Sequence, residues 1–275
     1  MTTDTEQAAR DAAYNNTEAV KDSVSRVADW ENRSAAARAR PGAILDLAYG
    51  PAPRNRIDYF PSERQNAPLF VFIHGGYWQR NSKETFSFIA GGPQAHGIAV
   101  AVTGYTLAPE ASLTEIVGEV ASALDYLCAN ADRLGFDPAR IYVGGWSAGG
   151  HLAAVSAGHP RVRGVFSISG IFDLAPIAET YINDKVALDD TEISTLSPLT
   201  NIPPTDVSYR IHVGSLELPA LQKQSAIFAS ALQQQEKPVE FVTLEGMNHF
   251  TIVEELADAN GALAQGLARL VGETD

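Results

Sequence analysis

Gly145-Trp146-Ser147-Ala148-Gly149 sets one serine between glycines, directly after the apolar run "IYVG" (141–144) and directly before an alanine-rich segment. Glycine at both flanks lets the serine occupy a strained strand-to-helix turn, with its hydroxyl exposed above the sheet. The same turn puts the backbone N–H of Ala148 at a helix N-terminus, where it can donate to a developing oxyanion. Upstream, the loop His74-Gly75-Gly76-Tyr77-Trp78 follows the run "LFVFI". The amides of Gly75 and Gly76 are candidate second donors, because glycine lets the main chain approach a substrate oxygen closely. The chemistry these types suit is nucleophilic attack on a carbonyl. A serine hydroxyl is a poor nucleophile until a base takes its proton, and the base needs an acid to orient it. The bland alternative for the pentapeptide is a glycine-rich strand-to-helix turn with no reactive role.

The elements that must position these groups follow from hydrophobic patterning. Continuous apolar runs at 69–73, 98–103, 141–144, 162–169, 209–214 and 239–244 alternate with helical patterns at 83–95, 114–134, 148–158, 219–235 and 252–270. That alternation predicts a mostly parallel central sheet with helices on both faces. Two earlier runs, "AILDLAY" and "NRIDYF", predict an antiparallel lead-in to it. Residues 16–38 read as helix, with Val20, Val24, Val27 and Trp30 on one face, so residues 1–40 are expected to form an N-terminal helical arm. Residues 41–275 are expected as a single α/β domain. The interval 171–208 is too long for a simple connection and is expected as an insertion near the active site, a lid or pocket wall.

On this frame the base is sought on a loop at the same sheet edge as the serine. His151 and His159 fall in or just after the helix that follows Ser147, His96 precedes a strand and His212 lies within one, whereas His249 follows the last strand and precedes the last helix. The acid is expected on the loop after "YRIHVG", where Glu217 is the carboxylate present. Asp206 lies before that strand, and Glu240 and Glu245 belong to the next strand and its exit. Ser147, Glu217 and His249 are therefore the expected catalytic set, with Gly75, Gly76 and Ala148 as oxyanion donors.

Bulk composition excludes several classes. A chain of 275 residues, 45% hydrophobic, is long enough to bury most of its unfolded surface in one core. Its formal charge, 20 − 33 = −13, argues against nucleic acid and anionic membrane as partners. No apolar run reaches membrane-spanning length and the N-terminal stretch lacks a signal-peptide core, so a cytoplasmic location is expected. Cys128 is the single cysteine, read as a buried inert thiol. No residues carry metal-ligand spacing, so neither metal nor cofactor is expected, and the partner is a small-molecule amide or ester. A homodimer is one option that the pattern leaves open.

These residues resemble the α/β-hydrolase superfamily, in the branch with an HGG-type oxyanion loop that includes hormone-sensitive-lipase-like esterases and kynurenine formamidases. The loop "HGGYWQ" (74–79) is similar to the arylformamidase version, as are "AAYNN" and "LDLAYGP" near the start and "SGIFDLAPI", "TYIND" and "LSPL" in the insertion. The resemblance implies a triad of Ser147, Glu217 and His249, with glutamate where the family more often has aspartate. It implies hydrolysis of N-formyl-L-kynurenine to L-kynurenine and formate. Under that reading Tyr77 and Trp78, with Trp146 a weaker candidate, form an aromatic wall for the aryl group, and Tyr181 and Asn183 are further candidate substrate contacts. Two rivals stand beside it. One is a carboxylesterase, or an amidase or lactamase, acting on another small substrate; the other is a non-catalytic binding protein on the same scaffold.

Overall fold

Strands that are apolar on both faces belong inside a parallel sheet covered from both sides, and the chain builds one. The structure, a computed structural model, describes residues 4–274. Among them eight strands, β1 (Ile44–Ala48), β2 (Arg56–Phe60), β3 (Ala67–Ile73), β4 (Ala99–Thr103), β5 (Phe136–Trp146), β6 (Val162–Ile168), β7 (Ser208–Gly214) and β8 (Val239–Leu244), form a sheet in the order β1-β2-β4-β3-β5-β6-β7-β8. β1 and β2 enter antiparallel, and every later pairing is parallel. β3 shows why its run lacks alternation. Leu69, Val71 and Ile73 bury into the core on one face, and Phe70 and Phe72 into the core on the other.

The first face is covered by helices Leu113–Ala129, Ala148–Val155 and Pro219–Gln234, and the second by Ala262–Glu273 together with Trp30 of helix Ser23–Arg38. Helix Leu113–Ala129 starts where the sequence says it should. Ser112 accepts from the Glu115 amide while the Glu115 carboxylate accepts from the Ser112 amide, a reciprocal cap.

The sheet register decides where a site forms. Ile73 pairs with Gly145, Trp146 with Ile168, Ile168 with His212 and Gly214 with Leu244. The carboxyl ends of β3, β5, β6, β7 and β8 are thus level, and the loops leaving them meet along one edge, where open α/β sheets bind ligands.

Three expectations change in detail. The predicted 16–38 helix is broken: the arm consists of Asp4–Tyr14, Asn16–Ala19 and Ser23–Arg38, with Val24 on the outer side at 74% exposure. The 252–270 pattern splits into Thr251–Glu254 and Ala262–Glu273. A Cβ at Gly261 would lie 2.0 Å from the Glu255 carbonyl oxygen, so the turn between them needs glycine. The 83–95 pattern likewise divides into Lys83–Phe86, a 3-10 turn Ser87–Ala90 and Gly91–Ala95. Residues 171–208 hold three short helices, Ala175–Ala178, Asn183–Val186 and Asp190–Leu196.

Candidate active site

Ser147 stands between β5 and helix Ala148–Val155 with φ 58 and ψ −119, a backbone conformation that a residue with a side chain adopts only when its surroundings impose it. The flanking glycines are what permit it. A Cβ at Gly145 would lie 2.3 Å from the Gly149 carbonyl oxygen, and one at Gly149 would lie 1.9 Å from that of Ile73. The turn is therefore jammed against the end of β3 on one side and itself on the other. Ala148 opens the following helix, so its N–H has no acceptor within that helix.

Gly75 packs against this turn, its ideal Cβ position lying 3.0 Å from Ser147 Cβ and 2.5 Å from the Trp146 carbonyl oxygen. The next peptide is oriented from behind. Asn81 Nδ2 donates to the Gly75 carbonyl at 3.2 Å, and the His74 ring meets the same oxygen through Nδ1 at 2.9 Å. Burial holds the His74 pKa down at about 4, so its ring is neutral and Nδ1–H is the donor. In a trans peptide the N–H points opposite to the C=O. Pinning the Gly75 carbonyl therefore aims the Gly76 N–H the other way. Gly76 itself sits at φ +117, where a Cβ would lie 2.4 Å from the Arg80 carbonyl oxygen.

On the loops after β7 and β8, His249 Nδ1 donates to Glu217 Oε2 at 2.6 Å, with both side chains almost fully buried. That bond leaves Nε2 as the nitrogen able to take a proton. The other carboxylate oxygen, Oε1, accepts from Ser169 Oγ at 2.5 Å and the Gly214 amide at 2.7 Å. A buried charge held by three donors is compensated rather than stranded. The loops carrying the pair are stitched together, since the Leu216 amide donates to Met247 O and the Gly246 amide to Ser215 Oγ. Asn248 Oδ1 accepts from the amides of Phe250 and Thr251, closing a turn around His249.

The structure brings Ser147, Glu217, His249, Gly75, Gly76 and Ala148 to one edge. Asp206 is exposed ahead of β7, at the far end of that strand. The expected aromatic wall needs correction. Trp78 is fully buried and meets the His151 ring edge-on at 5.0 Å, so its side chain is part of the core. Both Tyr77 and Trp78 have positive φ, 51 and 57, and this double left-handed step turns the Trp78 ring inward. Tyr77 does border a cleft, but its hydroxyl is engaged: it donates to Tyr14 O at 2.6 Å and accepts from Asn16 Nδ2 at 3.0 Å. Trp146 holds the histidine loop, its Nε1 donating to His249 O at 2.7 Å and its ring lying 4.7 Å from the imidazole. Tyr181 borders the same cleft as Tyr77, while Asn183 caps its own turn by accepting from the Leu188 amide.

Ser169, Trp146, Asn81 and His74 are contributors that sequence reasoning missed in these roles. Only one had a local signal: Ser169 directly follows a strand that ends on the same edge as Ser147.

A family model described as BD-FAE matches residues 57–165, and one described as the prolyl oligopeptidase family matches residues 115–261. The kynurenine formamidase of Danio rerio is 30% identical over 254 residues, covering 86% of this chain and 85% of its own. That of Salmo salar is 31% identical over 257 residues, with 86% and 85% covered. A candidate thioesterase from Silicibacter sp. superposes with a TM-score of 0.84 at 30% identity, covering 93% of this chain and 97% of that one. With an eight-stranded sheet of this order and relatives of this extent, the chain belongs to the α/β-hydrolase superfamily, in the branch that contains the kynurenine formamidases, and is a hydrolase.

Proposed function

We propose that this chain is a serine hydrolase of aryl amides or formamides, and that it converts N-formyl-L-kynurenine to L-kynurenine and formate. The observation that carries the mechanism is the buried Glu217 and His249 pair, 2.6 Å apart, at the edge where Ser147 is held in a strained turn. The two fish relatives named for kynurenine formamidase activity support the choice of carbonyl. Ser147 Oγ attacks the formyl carbon while His249 Nε2 takes the hydroxyl proton. Charge collects on the carbonyl oxygen, and the amides of Gly75, Gly76 and Ala148 are the donors that stabilise it, each worth roughly a hundred- to a thousandfold in rate. The C–N bond then breaks as the imidazolium returns its proton to the aniline nitrogen, a transfer that an amide needs more than an ester does. Water attacks the formyl-serine ester with His249 as base, formate leaves, and the proton returns to Ser147 Oγ.

The test compares kcat/KM for N-formyl-L-kynurenine with that for short p-nitrophenyl esters. Preference for the formamide is expected; a hundredfold or greater preference for the esters overturns the reading. Ester or thioester hydrolysis is the second reading, favoured by the TM-score of 0.84 to the Silicibacter candidate thioesterase. Fluorophosphonate labelling of folded protein separates both from a silent binding protein, since only a reactive Ser147 is modified.

A further inference from the structure

Beside the oxyanion loop lies an open cleft of about 360 Å³, bordered by Tyr77 and Arg80 on one side and by Tyr181, Asp184 and Lys185 of the 171–208 segment on the other. Its position relative to the serine is set by the chain itself. The Arg80 amide donates back to the Gly76 carbonyl at 3.1 Å, and Arg80 Cγ lies 2.9 Å from the ideal Cβ position of Gly76. Gly75, the next residue back, touches Ser147. With consecutive Cα atoms about 3.8 Å apart and each Cα–Cβ bond about 1.5 Å, these contacts place Arg80 Cγ no more than about 13 Å from Ser147 Cβ.

Charge makes this cleft unusual for the chain. In a chain with thirteen excess carboxylates, a carboxylate group on the substrate needs local cations to dock against. Arg80 and Lys185 are both exposed, and among the described residues neither makes an ion pair with a carboxylate. Other cations nearby are occupied: Arg10 pairs with Glu179, and Arg26 with Asp22 and Glu254. Asp11, the carboxylate closest to Tyr181 along the arm, already accepts from the Tyr181 amide and from Gln7 Nε2. The Arg80 guanidinium carbon lies 6.0 Å from the Tyr77 ring centroid, which steadies the group over the cleft wall and leaves its donor edge free.

We infer that Arg80, assisted by Lys185, is a subsite for a carboxylate carried on the amine half of the substrate, the half that leaves when the C–N bond breaks. A guanidinium fork matches a carboxylate through two parallel N–H···O bonds, which fixes the orientation of the group as well as attracting it. The aryl ring then lies between Tyr77 and Tyr181, with the scissile carbonyl toward Ser147. This inference rests on the assignment of Ser147 as nucleophile.

The experiment measures kcat/KM, read as formate release, for N-formyl-L-kynurenine and for its methyl ester, a zwitterion and a cation that differ at the carboxyl group, in the wild type and in Arg80→Ala, Arg80→Lys and Lys185→Ala. The wild type is expected to favour the free acid by roughly 10- to 100-fold, mainly through KM. Arg80→Ala should collapse that ratio toward one, Arg80→Lys should restore part of it, and Lys185→Ala should narrow it less. A ratio that Arg80→Ala leaves unchanged overturns the subsite, whatever happens to absolute rates. A second pair, 4-acetoxyphenylacetate and its methyl ester, separates this inference from the substrate assignment. If formamides are inert but the ester pair shows an Arg80-dependent ratio, the formamidase reading falls and the subsite stands. If neither pair is turned over, both fall.

Discussion

Glu217 uses both oxygens at once, Oε2 for the His249 ring and Oε1 for Ser169 Oγ and the Gly214 amide, so its contribution divides between charge and position. Glu217→Gln keeps the shape but replaces one oxygen by a donor, which cannot accept from Nδ1–H and favours the wrong imidazole tautomer. We expect kcat to fall by about three to four orders of magnitude, as loss of the orienting acid does in serine triads. Ser169→Ala removes one of three donors to the same carboxylate and should cost roughly tenfold, corresponding to about 1.4 kcal/mol. Steady-state kinetics on both variants check the order, and a Ser169→Ala loss equal to that of Glu217→Gln would sink the division of roles. For Ser147→Ala and His249→Ala, each alone should remove nearly all turnover, and the double variant should be no worse than either. Groups that act as a unit are lost as a unit. Additive losses in that cycle would mean the two side chains act independently.

At the scale of elements, the loop after β3 is tied to the N-terminal arm. Tyr77 follows the two glycines, and its buried hydroxyl is held by Tyr14 O and Asn16 Nδ2, the two residues flanking the break between the first two helices. Behind them Trp30 packs on Phe86, Phe88, Trp146 and Phe250, and Arg38 reaches the fully buried Asp58 of β2 at 2.8 Å. Tyr77→Phe strands the Tyr14 carbonyl and the Asn16 amide, so we expect a loss of about 1–3 kcal/mol in stability. A fall in kcat larger than the change in KM is expected with it, because the lost hydroxyl anchors the backbone beside Gly75 and Gly76 while the ring that borders the cleft is kept. Urea titration and kinetics on one preparation test this, and a variant with wild-type midpoint and kcat would disconnect the arm from the site. Such couplings mark the limit of what could be read from sequence. The serine turn was legible because its glycines are demanded by contacts within five residues and the adjoining strand end, and Glu217 and His249 were legible because parallel strands put successive loops on one edge. The grip of Trp146 on the His249 carbonyl spans 103 positions in the chain, and that of Asn16 on Tyr77 spans 61, so neither leaves a local pattern. The inward turn of Trp78 followed from two consecutive positive φ angles, which non-glycine residues rarely adopt and a reading by residue type does not anticipate.

Across the whole molecule, three histidines are buried without being part of the candidate site chemistry as bases: His74 behind the oxyanion loop, His151 in the helix after Ser147 and His212 within β7. Burial disfavours the charged ring at each, holding the pKa down at about 4 for His74 and His151 and at about 3 for His212. In the unfolded chain the same rings titrate near about 6.5. The sign of the linkage follows: between about pH 6.5 and pH 4 the unfolded state binds protons that the folded state refuses, so stability is present above that window and is lost as pH falls through it. From pH 6.5 to pH 5 each ring should remove about 1.5 kcal/mol, and the three together should consume a large fraction of a typical 5–15 kcal/mol stability. The check is a series of urea unfolding curves at pH 7.5, 6.5, 5.5 and 5.0, with His212→Leu beside the wild type. The wild type should lose stability steeply below pH 6.5, and His212→Leu should lose it with a slope shallower by about one proton, whatever its stability at pH 7.5. A midpoint that stays level from pH 7.5 to pH 5.0 would show that these rings are protonated in the folded chain, and would require that the strand and helix carrying His212 and His151 open to water at ordinary acidity.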